Sequence, residues 1–254
     1  KTKGNFFQHQ DLKFDTEYET FNHLGHIVEN DAIQLALYQS LQATQVTFIN
    51  AKVVGLTKQD NGYQIQLDNQ TAIGCQLLVG ADGARSKVRE ITGIVTTDTD
   101  YQQKAIVCNI KAKKNFNKTT WQRFLSNSII ALLPLGEYEA SIVWSAGNTL
   151  ADELMQLSKE EFAKRLSAGV EYRFGEFEVV SDIQAFPLIE RSAQTYVKEQ
   201  LALVGDAAHN IHPLAGQGVN LGFADVIELS KQLGSNKSKL GDYGVLRKYA
   251  RARR

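Results

Sequence analysis

Hydrophobic positions along this chain follow two rhythms, a four-residue one in some segments and a two-residue or unbroken one in others. Their order predicts an α/β protein with an all-strand insertion. Near the amino end, His26-Ile27-Val28 reads as a strand leading to Asn30 as a helix N-cap. Ile33, Leu37 and Leu41 then recur every four residues, and Val46 to Ile49 returns as a strand. Tyr63, Ile65 and Leu67 alternate between Gly62 and Asn69 as a hairpin arm. The apolar run Cys75 to Val79 predicts a buried strand that ends in Gly80-Ala81-Asp82-Gly83. From about Ala105 to Ser145 the strands follow one another without helices: Ala105 to Ile110, Trp121 to Leu125, Ile129 to Leu135 and Ala140 to Trp144. That run predicts an inserted antiparallel sheet. A capping box, Ser158-Lys159-Glu160-Glu161, starts a helix through Phe162 and Leu166 toward Phe174, and Val180 to Phe186 is expected to close the insertion.

The most informative stretch is Leu201 to Phe223. Leu201 to Val204 reads as a buried strand, and Gly205 lets the chain turn so that Asp206 projects from the strand's carboxyl edge, where α/β sheets hold ligands. Gly216-Gln217-Gly218 then open a helix whose Val219, Phe223, Val226, Ile227 and Ser230 keep roughly 3.6-residue spacing. Glycines at a helix start leave amide N–H groups open to a ligand. The helix dipole adds about half a positive charge there, which suits an anion or an electron-rich ring.

Composition narrows the class. With 254 residues, 43% hydrophobic and 22% charged, the chain can bury a sizeable core of one or two domains. Lys plus Arg total 28 and Asp plus Glu total 28, so no global field draws it to nucleic acid. Cys75 and Cys108 lie in apolar runs without metal-ligand spacing and read as reduced, buried residues of a cytoplasmic protein. No apolar run reaches a membrane span and no signal peptide precedes Lys1, so any membrane contact is expected to be peripheral. The basic end, Arg247, Lys248, Arg251, Arg253 and Arg254, reads either as a contact for an anionic membrane or, more commonly, as a solvated helix face.

Two segments carry a family resemblance. LVGADGARSKVRE (Leu78 to Glu90) and LVGDAAHNIHPLAGQGVNLGFAD (Leu203 to Asp225) resemble the second and third FAD fingerprints of class A flavoprotein monooxygenases, the para-hydroxybenzoate hydroxylase superfamily. LGHIVEND (Leu24 to Asp31), WQRFL (Trp121 to Leu125), SIVWS (Ser141 to Ser145), FPLIERSAQTYV (Phe186 to Val197) and the segment ending LRKYARARR resemble one branch, the aromatic hydroxylases of ubiquinone biosynthesis. The resemblance covers nearly the whole chain.

It implies a partial FAD-binding Rossmann-like domain with an inserted antiparallel-sheet substrate domain. Residues 1–22 would be a substrate-domain segment, 23–92 and 191–254 FAD-binding segments, and 93–190 the substrate sheet. The implied chemistry is FAD- and NAD(P)H-dependent hydroxylation of a polyprenylated phenol by O₂ through a flavin hydroperoxide. Homo-oligomers or other ubiquinone-biosynthesis proteins are the expected partners. The superfamily's first fingerprint, GxGxxG after the first strand, is absent, so the chain reads as truncated at its amino end, and FAD is expected to be missing from this piece. The sheet edge left without that strand is expected to be covered by another copy, a separate fragment or a rearrangement.

By the same resemblance, Asp206 would accept hydrogen bonds from the ribityl hydroxyls, with a capping or buried structural aspartate as the plain alternative. Gly216, Gln217, Gly218, Val219 and Asn220 would face the flavin pyrimidine ring; otherwise they simply begin a helix. Pro213 corresponds to the proline whose carbonyl approaches the substrate hydroxyl, and alone is a turn proline. Asp82 and Gly83 would serve the pyrophosphate, with Arg85 and Arg89 as cations for phosphate or NAD(P)H, or as a solvated charged turn. Asn30 would touch the ribityl or pyrophosphate, cap its helix, or both. Asp206, His209 and His212 also form a DxxHxxH string, but Pro213 and the glycines oppose the continuous helix a metal site would need. Ser86 lies in no GxSxG elbow, which disfavours a hydrolase. The remaining alternative to an enzyme is a scaffold subunit of a biosynthetic assembly.

Overall fold

Among the described residues, backbone pairing sorts the strands into three sheets. The structure is a computed structural model that describes residues 14, 23–211, 216–236 and 239–254. In chain order, helix α1 (Asn30–Gln42) precedes a meander of β1 (Val53–Gln59), β2 (Gly62–Leu67) and β3 (Ala72–Cys75). Strand β4 (Leu78–Gly80) and the short helix α2 (Lys87–Ile91) follow. The strands β5 (Thr96–Ala112), β6 (Trp121–Phe124), β7 (Ser128–Pro134) and β8 (Glu139–Gly147) lead to helices α3 (Asn148–Met155) and α4 (Lys159–Gly169). Then come β9 (Phe177–Val179), β10 (Gln184–Ala193), β11 (Val197–Lys198) and β12 (Leu201–Leu203). After a 3-10 turn at Gly205–Ala207 the chain adds β13 (His209–Asn210), α5 (Gly218–Gly234) and α6 (Tyr243–Arg253).

The large sheet is antiparallel, in the order β13-β10-β5-β8-β7-β6, with β9 also paired to β5. Cross-strand partners share a face. On one face Ile106, Trp144 and Ile130 form one row and Cys108, Ile142 and Leu132 the next. These pack under α3 and α4 with Leu154, Phe162 and Leu166. Each such apolar side chain contributes about 1.5–3 kcal/mol on full burial. Helix α4 begins at the predicted capping box, in which the Ser158 hydroxyl accepts from the Glu161 amide and the Glu161 carboxylate accepts from the Ser158 amide. Ser158→Ala is therefore expected to cost about 1 kcal/mol in thermal or denaturant unfolding; an unchanged midpoint would show that the box contributes nothing.

A second apolar cluster, which includes Leu78, Val88, Leu201, Leu203, Leu229, Leu246 and Tyr249, surrounds the small sheet β11-β12-β4. Here β12 runs parallel to β4, with Leu201, Ala202 and Leu203 opposite Leu78, Val79 and Gly80. The fold is thus mixed α/β with a large antiparallel sheet, as the hydrophobic pattern predicts.

Several element boundaries differ from expectation, each for a reason of pairing. His26 to Val28 and Val46 to Ile49 form no strand, because among the described residues no neighbouring ladder completes the apolar rhythm; Val46, Phe48 and Ile49 are exposed. Helix α1 starts with Asn30 as its first helical residue and Glu29 as N-cap, and no side chain caps it. The run Cys75 to Val79 splits because β3 pairs with β2 while β4 changes sheet to pair with β12. The strand expected at Val180 to Phe186 is instead β9 followed by β10. Between them the Ser181 hydroxyl takes the place of a ladder carbonyl and accepts from the Asn109 amide at 2.8 Å. Phe174 lies beyond α4, where Glu171 and Tyr172 adopt positive φ and turn the chain so that its ring meets Phe116.

Candidate functional site

Parallel pairing of β4 with β12 brings the two fingerprint segments to one carboxyl edge. The Val204 amide donates to the Gly80 carbonyl at 3.0 Å, after which Ala81-Asp82-Gly83 leave one strand and Gly205-Asp206 the other. Asp82 organises its own loop: its carboxylate accepts from the Ser86 hydroxyl at 2.5 Å and from the Val88 amide at 3.0 Å, which caps the start of α2. Gly83 turns with φ of 78° and a side chain there would meet open space; Arg85 is exposed beside it.

Arg89 differs from the cation expected for phosphate or NAD(P)H. Its side chain is buried, and its guanidinium donates to the Ala207 carbonyl at 2.8 Å and the Ala84 carbonyl at 2.7 Å, clamping the Asp82 loop to the Asp206 turn. Arg191, which sequence reasoning missed, donates to the same Ala84 carbonyl at 2.7 Å and pairs with Asp98 through two nitrogens. The hydrogen bonds from Arg191 hold the Asp98 carboxyl below the usual carboxylate range.

Asp206 is exposed at this edge, and among the described residues nothing hydrogen-bonds its carboxylate. Facing the turn is the start of α5. Gly222 lets the helix approach so closely that a methyl group there would sit 3.4 Å from the Gly205 Cα. Gly216, with φ of 62°, and Gly218 front open space, and no side chain caps α5 among the described residues; Gln217, Val219 and Asn220 are exposed around them. The edge therefore presents backbone donors and a free carboxylate to the same region, which fits a ligand carrying hydroxyls and an electron-rich ring. Pro213 and His212 lie outside the described residues. Asn30 opens the exposed helix α1, which buries no residue, and among the described residues no hydrogen bond joins α1 to this edge. No group of three or more His, Cys, Asp or Glu among the described residues is placed to hold a metal ion.

The apolar positions that mark α5 as a helix face outward: Val219, Phe223, Val226 and Ile227 are exposed, whereas Asp225 and Leu229 are buried. Asp225 explains the choice, because its carboxylate accepts from the Gly205 amide at 2.9 Å, meets His209 Nε2 at 2.6 Å, and accepts from Arg253 Nε at 2.7 Å. Burial raises the Asp225 carboxyl, but the hydrogen bonds from His209, Arg253 and Gly205 outweigh it and leave it below the ordinary carboxylate value. From the sequence, Asp225 has no role of its own, while His209 enters only through the DxxHxxH string and Arg253 only through the basic end. A signal existed: Leu221, Asp225 and Leu229 recur at four-residue spacing, which puts a lone carboxylate in line with two leucines. Arg253 is thereby removed from the basic face of α6, while Arg247, Lys248, Arg251 and Arg254 stay exposed.

The other face of the large sheet points away from the cluster packed under α3 and α4. Across it run Phe186, Ala105, Ser145, Ile129 and Phe124, and beside them Val107, Val143 and Ala131, by direct register. Phe186 and Phe124 are well exposed, and a cavity of about 650 Å³ opens at the end of this face among Tyr101, Phe124, Ile129 and Leu150.

Over residues 1–254 the sequence matches the family described as FAD binding domain. It is 36% identical over 231 residues to the 3-demethoxyubiquinol 3-hydroxylase of Escherichia coli (strain K12), covering 89% of this chain and 59% of that protein. It is 32% identical over 286 residues to the ubiquinone biosynthesis monooxygenase COQ6 of Homo sapiens, covering 94% and 61%. The chain thus spans about three fifths of the length of these curated relatives. Among solved structures, PqsL of P. aeruginosa in complex with 2-aminobenzoylacetate shares the fold with a TM-score of 0.74 at 23% identity, over 87% of this chain and 63% of that one. The anhydrotetracycline hydroxylase OxyS of Streptomyces rimosus does so with a TM-score of 0.66 at 22% identity, over 87% and 45%. The chain belongs to the FAD-binding-domain family.

Proposed function

We propose that the whole protein is an FAD- and NAD(P)H-dependent hydroxylase acting on a polyprenylated phenol in ubiquinone biosynthesis. The observation that carries this reading is the convergence, at one carboxyl edge, of the Asp82 loop, the free Asp206 carboxylate and the open glycine start of α5. FAD held there would supply O₂ activation, with NAD(P)H as its source of electrons. Asp206 accepts from sugar hydroxyls, since a carboxylate offers acceptors only. The first amides of α5, from Gly218 to Asn220, donate toward the electron-rich edge of the ring system, where the helix dipole favours negative charge. Gly216 and Gln217 leave that approach open. Gly83 lets backbone come near the pyrophosphate, Arg85 supplies a cation, and Asp82 holds the loop in shape. By the resemblance, Pro213 would offer its carbonyl to the substrate hydroxyl and Asn30 a side chain to the cofactor.

The substrate ring lies against this second sheet face, where Val107, Val143, Ala131 and Ile129 exclude water. We assign residues 23–92 and 191–254 to the FAD-binding part and 93–190 to the substrate sheet. No helix among the described residues is long and apolar enough to cross a membrane. The exposed Arg247, Lys248, Arg251 and Arg254 give α6 a cationic face for peripheral contact with an anionic bilayer that holds the prenyl substrate.

Gly218→Val tests the cofactor placement. It is cleaner than the same change at Gly216, whose positive φ strains any larger residue. In the whole protein it is expected to leave the circular dichroism spectrum unchanged while cutting flavin occupancy, and hydroxylation by about 100-fold through misplacement of the ring. Normal flavin content and turnover would remove the ring from the start of α5.

A further inference from the structure

The hydrogen bond that reaches the residue just before Asp206 comes from a carboxylate shared with the far end of the chain's last helix. Asp225 is completely buried, and one of its oxygens accepts from the Gly205 amide and meets His209, while the other is held by Arg253. Arg253 also donates to the Leu221 carbonyl at 3.3 Å, so it grips both the carboxylate and the first turns of α5. The node therefore joins four segments: the Gly205 turn, β13, α5 and α6. Gly205 sits at φ of 58°, and the turn is closed by the Ala208 amide donating to the Gly205 carbonyl at 2.8 Å. Rotation of this turn would swing Asp206, and the Asp225 carboxylate is what fixes its leading amide.

We propose that Asp225 and Arg253 are positioning residues for Asp206: the carboxylate, oriented by Arg253 and His209, sets the Gly205 turn so that Asp206 faces the hydroxyls of its ligand. The inference rests on the assignment of Asp206 to the cofactor. Its structural half, the coupling of α6 to the turn, stands on geometry alone. A cavity of about 210 Å³ borders Tyr196, His209, Leu221 and Arg253, so truncating Arg253 removes its bonds beside existing space rather than inside the apolar cluster.

The test has two readouts. Amide hydrogen exchange on the chain should accelerate about tenfold or more at Gly205 and Ala208 in Arg253→Ala, while Leu203 stays protected, and Arg253→Lys should restore most of the protection. In the whole protein, Arg253→Ala should weaken FAD binding about tenfold when Asp206 is present and have almost no effect on top of Asp206→Ala. Unchanged exchange at Gly205, or an equal loss of affinity in both backgrounds, overturns the positioning role. If Asp206→Ala itself leaves FAD binding intact, the cofactor assignment falls instead, and the exchange measurement still decides whether α6 sets the turn.

Discussion

Phe162→Ala is expected to destabilise the large-sheet module by about 3–5 kcal/mol, the cost of removing a fully buried aromatic ring from a packed core. Phe162 projects from α4 onto the helix-covered face of the sheet, where its ring centroid lies 5.8 Å from that of Trp144 and where Leu154 and Leu166 surround it. Both tryptophans of the chain belong to this cluster, Trp144 inside it and Trp121 packed against it. Tryptophan fluorescence therefore follows this module and not the second cluster around β12. For a domain of this size the loss corresponds to a fall of roughly 6–20 °C in the tryptophan-monitored midpoint. A shift of only a degree or two would mean that α4 rests on the sheet without closing its core.

That module was the more legible half of the chain. The strands β5 to β8 carry their own partners within some fifty residues of sequence, so alternation along each strand and the turns between them suffice to predict an antiparallel sheet. The capping box at Ser158 was equally plain, because all its atoms are local. Segments whose partners are not among the described neighbours read wrongly: Val46 to Ile49 has the composition of a strand and no ladder. Helix α5 shows a different limit. Its exposed side is the more hydrophobic, and the buried side is chosen by Asp225, whose partners Gly205, His209 and Arg253 lie 16 to 28 residues away in sequence. A periodicity argument counts apolar positions and gives no weight to a carboxylate whose burial is made favourable by partners outside the window.

The site was legible where backbone conformation demanded particular residues. Gly216-Gln217-Gly218 marked an open helix start, and Gly205-Asp206 a turn at a strand end. The roles of Arg89 and Asp82 were not legible, because a charged side chain in a glycine-rich loop reads the same whether it awaits a ligand or holds the loop. Arg89 is spent on two carbonyls and Asp82 on two donors of its own segment. Asp206 is the contrast, an exposed carboxylate between two structured loops, with no hydrogen-bond partner among the described residues.

This contrast sets the expected result for Asp206→Ala in the whole protein. Because Asp206 supports nothing in the described fold, its loss should leave the unfolding midpoint within the scatter of ordinary surface changes, about 0.5 kcal/mol. FAD affinity should fall much further, by about 1–3 kcal/mol or roughly 5- to 150-fold, since on the proposed placement the sugar hydroxyls lose a charged acceptor. Asp206→Asn should fall between the two, because a carboxamide keeps one acceptor oxygen and gives up the charge. Flavin absorbance retained after gel filtration, followed by fluorescence titration of the stripped protein, measures both variants against the parent. Equal occupancy in all three would leave the open start of α5 without its carboxylate partner and return Asp206 to the surface as an unremarkable turn residue.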